Sequence, residues 1–177
     1  LTGDTQNNIL IGHFGADTLY GGVGNDVLYG FHAYQRQEDF DGNDTLYGGD
    51  GDDVLIGGAG DDTIDGGAGQ DILSGDGNND YMDLTTGRGD ISDPNTAWSI
   101  GGVRGSDTFI VRVGDGGAVL DDADIITDFE TGVDVIGLAT NELGQPLLFS
   151  DLILSQVDRD VVIQHRSSQE YLAIIKN

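Results

Sequence analysis

Asp recurs every nine residues in the first part of this chain, each time behind a run of glycines. Gly21-Gly22-Val23-Gly24-Asn25-Asp26-Val27-Leu28-Tyr29 is one such unit. Gly48 to Ile56, Gly57 to Asp65 and Gly66 to Ser74 repeat the plan, with Asp53, Asp62 and Asp71 in sixth place. Glycine at the first, second and fourth places permits positive φ and close backbone approach, so carbonyl oxygens can converge on one point. Carboxylate and carbonyl oxygens together suit a hard divalent cation. Ca²⁺ accepts such a mixed shell, whereas Mg²⁺ keeps its waters and demands tighter octahedral geometry.

The charge balance asks for such a cation. The chain has 177 residues and a net charge of -25, from 32 acids against 7 bases. Between Asp39 and Asp83 there are thirteen Asp and no Lys, Arg or Glu. A stretch of that kind repels itself and is expected to be disordered alone. The same charge argues against nucleic acid and against an anionic membrane surface, which both favour a basic face. There is no cysteine, hence no disulfide and no zinc-thiolate site. No apolar run approaches the length of a membrane span, and no signal peptide is visible. The chain starts at Leu1, which suggests a piece of a longer polypeptide.

Counted from Gly3, the nine-residue frame runs to Ile110 as twelve units. The eighth place reads Leu10, Leu19, Leu28, Gln37, Leu46, Leu55, Ile64, Leu73, Met82, Ile91, Ile100 and Phe109. The sixth reads Asn8, Asp17, Asp26, Gln35, Asp44, Asp53, Asp62, Asp71, Asp80, Gly89, Trp98 and Asp107. Places seven to nine predict a short strand with the eighth side chain inward, and places one to six predict a turn. Successive units on alternate sides of a flattened right-handed coil give eighteen residues per full turn, six coils in all, with parallel strands. One thin apolar file per sheet is too little core without metal.

This pattern, GGxGxDxUx with U apolar, resembles the calcium-binding repeats-in-toxin (RTX) family. The resemblance implies an all-β fold, a right-handed parallel β-roll (β-solenoid) over residues 1–110. A C-terminal β-rich capping segment is expected over 111–177. There Asp124-Ile125-Ile126-Thr127-Asp128-Phe129 and Gly132-Val133-Asp134-Val135-Ile136 resemble the family's post-repeat segment, with Gly137 in place of its usual last Asp. Apolar strands at Leu152-Ile153-Leu154, Val161-Val162-Ile163 and 171–175 would close the open end. The resemblance also implies several Ca²⁺ ions, each between two turns stacked on one side, with each Asp giving one oxygen to the ion above and one to the ion below. The implied ligands are Asp17, Asp26, Asp44, Asp53, Asp62, Asp71, Asp80 and Asp107, with Asp124 in the cap and Asn8 as a neutral half-site. Turn carbonyls complete the shells, from Gly12, Gly15, Gly21, Gly22, Gly24, Gly42, Gly48, Gly49, Gly51, Gly57, Gly58, Gly60, Gly66, Gly67 and Gly69.

Two stretches, 30–40 and 84–101, break the pattern. Gly30 to Glu38 lacks both the Asp and the apolar residue. As an excised loop it pairs Asp17 with Asp44, Asp26 with Asp53, Asp44 with Asp62, Asp53 with Asp71 and Asp62 with Asp80. As a coil it brings Asp26 to Asp44 and Asp17 to Gln35. The missing ligands favour the loop. Residues 84–101 keep Ile91 and Ile100 in phase, which favours degraded coils there. Tyr20, Tyr29 and Tyr47 fill outward ninth places beside Phe31, Tyr34 and Phe40. Their expected role is to carry the loop; stacking on sugar rings is the alternative.

Catalytic signatures are missing. His13, His32 and His165 are scattered, and neither H-E-x-x-H nor G-x-S-x-G occurs. Asp93-Pro94 reads as a plain turn. The expectation is therefore a non-enzymatic, calcium-binding RTX module of a larger secreted, extracellular bacterial protein. Calcium would fold it outside the cell. Its partners would be the preceding domain of the same polypeptide, which it stabilises, and the type I secretion machinery. The alternative is a calcium-dependent polysaccharide or cell-surface binding module.

Overall fold

The computed structural model describes residues 1–31, 42–76, 105–140 and 144–176. Asp80, Met82, Asp93, Pro94, Trp98, His32, Tyr34 and Phe40 lie outside them.

The apolar eighth place and its two neighbours form the strands, as the period requires. In chain order these are β1 (Ile9–Ile11), β2 (Thr18–Val23), β3 (Val27–Tyr29), β4 (Thr45–Asp50), β5 (Val54–Gly58), β6 (Thr63–Ala68), β7 (Ile72–Asp76) and β8 (Thr108–Val111). The later part adds β9 (Asp124–Ile126), β10 (Val135–Leu138), β11 (Leu152–Val157), β12 (Asp160–His165) and β13 (Tyr171–Ile175). From β1 to β10 odd and even strands go to opposite sheets, so this part of the chain winds between two parallel layers. One sheet runs β2-β4-β6-β8-β10 and the other β1-β3-β5-β7-β9-β13-β12-β11. The fold is a parallel β-roll.

Registers follow the repeat place by place. Leu19 pairs with Leu46, Leu46 with Ile64 and Ile64 with Phe109. Leu10 pairs with Leu28, Leu28 with Leu55, Leu55 with Leu73 and Leu73 with Ile126. These side chains meet as one file between the sheets, and those from Leu19 to Phe109 are fully buried. One such side chain per nine residues is a small return on the entropy of ordering them.

The strand pairings depart from an unbroken nine-residue frame. Strand β2 pairs directly with β4, and β3 with β5, while residues 32–41, and with them the choice between loop and coil, lie outside the described residues. Strand β6 likewise pairs directly with β8, and β7 with β9. The degraded-coil reading of 84–101 lies outside the described residues. Among the described residues the roll has five strands per side, and its fifth strands are β9 and β10, which lie beyond the nine-residue frame.

Strand β13 joins β9 in parallel, and β12 and β11 follow antiparallel, which extends the odd-strand sheet past the roll. Thr127 and Asp128 fix the junction. The Thr127 hydroxyl donates to the Leu73 carbonyl, and the Asp128 carboxylate accepts from the Ser74 hydroxyl and the Gly75 amide. Among the described residues no helix is long and apolar enough to cross a membrane.

Candidate metal centre

Each turn holds its sixth-place residue under the same place of the next turn on its side. On the odd-strand side the series is Asn8, Asp26, Asp53, Asp71 and Asp124. The amide of each donates to the side-chain Oδ1 of the next, at 2.7, 2.6, 2.8 and 3.3 Å. On the even-strand side the series is Asp17, Asp44, Asp62, Asp107 and Asp134, at 2.8, 2.8, 2.8 and 3.1 Å. Asp62 thus meets Asp107, and the expected partner Asp80 lies outside the described residues. Asp26, Asp44, Asp53, Asp62, Asp71, Asp107 and Asp124 are all at most 2% exposed.

The two carboxylate oxygens have different work. Oδ1 takes the neighbouring amide. Oδ2 of Asp17, Asp26, Asp53 and Asp71 is buried and accepts no hydrogen bond among the described residues. A buried carboxylate oxygen in that state costs free energy unless a cation meets it.

Carbonyl oxygens approach the same spot. A Cβ built on Gly21 would stand 2.5 Å from Asp26 Oδ2 and 2.5 Å from the Gly48 carbonyl oxygen. The same two atoms, one rung apart, crowd Gly12 (Asp17 with Gly30), Gly30 (Asp44 with Gly57), Gly48 (Asp53 with Gly66) and Gly57 (Asp62 with Gly75). Gly66 faces Asp71 Oδ2, and Gly3 faces Asn8 Oδ1 with the Gly21 carbonyl. First-place glycine is therefore a requirement of space. Second- and fourth-place glycines are required by conformation. Gly22, Gly24, Gly49, Gly51, Gly58, Gly60, Gly67 and Gly69 all have φ between 103° and 143°. Gly49 sits on the Gly22 carbonyl, Gly51 on that of Gly24 and Gly60 on that of Gly42. Gly15, at φ 86°, has open space where a Cβ would stand, while Gly42 of the next turn packs on its backbone.

Among the described residues no three His, Cys, Asp or Glu side chains cluster as a metal site. The donor set is instead two carboxylates with main-chain carbonyls, which is what a hard, flexible-coordination ion takes. Electrostatics agree. Burial, above all, pushes Asp53 up to about 6 and Asp71 up to about 7, although each accepts a backbone hydrogen bond that opposes the rise. Asp124 is raised well above the usual range by burial and then by Asp71. Without a cation these three carboxyls resist ionisation.

Several contributors escaped the sequence reading. Gly30, which opens a unit that looks degraded, and Gly75, which opens the Asp80 unit, both bring carbonyls to the ladder. Asp134 ends the even-strand series. Its signal is present, since Gly132-Val133-Asp134-Val135-Ile136 repeats places four to eight of the nonapeptide. Its Oδ1 accepts from Asp107 and its Oδ2 from the Glu130 amide, so both oxygens are engaged by the backbone. The fifth place forms a further ladder. Asn7 Oδ1 accepts from the Asn25 amide, Asp52 from Gln70, Asn43 from Asp61 and Asp61 from Ser106. Its donors lie one rung later than their acceptors, the reverse of the sixth-place ladder, so the two bind each pair of turns from both directions.

The aromatic residues divide. Tyr20 and Tyr47 stack face to face at 4.9 Å, while Tyr29 is buried with Phe31 edge-on at 5.8 Å.

A family model agrees with this geometry. The family model described as RTX calcium-binding nonapeptide repeat (4 copies) matches residues 1–30, 40–73 and 57–91. No curated protein matches the chain. Among solved structures it is similar to the AlgE6R3 subunit of the Azotobacter vinelandii mannuronan C5-epimerase, a solution structure. The identity is 20%, the cover is 96% of this chain and 70% of that one, and the TM-score is 0.28. The chain carries RTX calcium-binding nonapeptide repeats, wound as a parallel β-roll that binds several Ca²⁺ ions.

Proposed function

We propose that this chain is the calcium-responsive folding module of a larger secreted protein. The observation that carries the reading is the pair of buried Asp ladders whose Oδ2 atoms at Asp17, Asp26, Asp53 and Asp71 accept no hydrogen bond among the described residues, those of Asp17, Asp26 and Asp53 converging with a turn carbonyl. Asp17, Asp26, Asp44, Asp53, Asp62, Asp71 and the first-place glycines would hold the ions, with Asp80 an expected ligand outside the described residues. Where calcium is scarce, repulsion within a chain of net charge -25 keeps it unfolded and threadable. Where calcium is plentiful, binding free energy becomes folding free energy. That switch suits passage through a type I secretion channel, folding on the far side and support of a preceding domain.

The test is a far-UV circular dichroism titration. Chelator should abolish the strand signal and calcium should restore it cooperatively. Equal restoration by magnesium would defeat the proposal. For export, the parent and a variant with Asp26, Asp53 and Asp71 changed to Asn are compared beside a type I channel, with extracellular calcium varied. Calcium-independent export of both would remove the secretion part.

A second reading rests on Tyr20, which is 46% exposed at the edge of its stack with Tyr47. Aromatic faces of this kind stack on sugar rings, so the roll could also hold polysaccharide at a cell surface. A glycan array with and without calcium separates the two readings.

A further inference from the structure

The ninth place on the even-strand sheet runs Tyr20, Tyr47, Asp65 and Ile110 in register. Asp65 is an acid where its neighbours are aromatic or aliphatic, and it is only 7% exposed. It lies beside the turn that ends at Asp71. The next turn on that side runs from Arg112 to Asp124. It is the first that is not a nonapeptide turn, and it brings a second extra acid, Asp115, also 7% exposed.

Arg112 stands between these acids. Its guanidinium donates to Asp65 Oδ2, and its other terminal nitrogen lies 3.6 Å from Asp115 Oδ1. Its amide donates to Asp115 Oδ2 at 3.2 Å. The Asp115 carbonyl in turn accepts from the Gly69 amide of the turn beneath, at 3.2 Å. The Arg112 side chain is 26% exposed and that of Asp65 is 9%. A pair so far from water is costly to break, because removal of one partner leaves the other charged and buried.

We propose that Arg112 is a resident cation that seats the cap's first turn on the last nonapeptide turn without calcium. The inference rests on the calcium reading of the repeats and adds a boundary to it. A guanidinium fixed in the chain does not dissociate, so its hold does not depend on ion concentration, unlike that of a bound metal. The junction strands β8, β9 and β13 should therefore order at lower calcium than the middle of the roll.

Hydrogen exchange read by mass spectrometry along a calcium titration tests this on the full chain. In the parent, protection of β9 and β13 should reach its midpoint at about tenfold lower calcium than that of β3 and β5, the scale of one charge-assisted hydrogen bond. Arg112→Gln should bring the two midpoints together, and Arg112→Lys should restore part of the gap. The number of ions bound at saturation, by native mass spectrometry, should stay unchanged in Arg112→Gln. Coincident midpoints in the parent, an unchanged gap in Arg112→Gln, or loss of an ion in that variant would each overturn the inference. A roll that shows no calcium midpoint at β3 and β5 would refute the calcium reading, and this one with it.

Discussion

Asp53→Asn separates the two roles of a ladder carboxylate. Asp53 lies mid-ladder, 1% exposed, with Oδ1 accepting from Asp26 and its own amide donating to Asp71. Asparagine keeps the shape and the Oδ1 acceptor and removes the charge. Its Nδ2 would face the Gly66 carbonyl, which is a suitable acceptor. The carboxyl is raised from 3.8 to about 6, mainly by burial. At neutral pH that rise makes the charged group cost the calcium-free fold about 3 kcal/mol. The sign follows from linkage. A carboxyl whose folded value is raised favours the fold fully below its unfolded value and loses that contribution as pH rises through the folded value. The calcium-free parent should thus gain strand signal on acidification from pH 7 toward 4, and Asp53→Asn should gain less, having already lost the charge. With calcium the effect reverses, because an anionic ligand is gone. The calcium midpoint should rise at least about tenfold, the equivalent of 1.4 kcal/mol. Circular dichroism across pH in chelator, and across calcium at pH 7, gives both signs. A variant that needs no more calcium than the parent, or that requires more acid to order in chelator, refutes the reasoning.

Other changes address the turns. Gly49→Ala places a Cβ against the Gly22 carbonyl at a φ of 119°, and should lower stability in saturating calcium by roughly 2–3 kcal/mol; a melting temperature equal to the parent's would contradict the stacking argument. His13 holds a φ of 84° at a place where other turns have glycine. His13→Gly should therefore stabilise the first turns by about 1 kcal/mol in a denaturant titration; a loss would mean that contacts of the imidazole outweigh its strained backbone. Asp134 has both oxygens on backbone amides, so Asp134→Ala should speed exchange at β10 while the ion count by native mass spectrometry stays constant. Loss of an ion would make it a ligand after all.

The sequence determined the repeating unit. Asp, Gly and Leu recur at places six, one and eight because each unit meets the same three demands. It needs an anion beside the ion, no Cβ where Oδ2 and a carbonyl converge, and one apolar side chain between the sheets. Each demand is local to nine residues, so a nine-residue window reveals it. Which turns are neighbours is a different matter. Asp17 bonds to Asp44 across 27 residues and Asp62 to Asp107 across 45, against 18 for an uninterrupted coil. Both excesses are multiples of nine, so the frame stays in phase whether or not the intervening residues form coils. The pairings of β2 with β4 and of β6 with β8 decided which described turns are neighbours. The cap's part in the ladders was hidden for a related reason. Asp124 follows Asp71 at 53 residues, out of phase, and the third dimension alone aligns them. Arg112 is a lone base in the sequence, and its meaning came from Asp65 and Asp115, which backbone winding brings to its side.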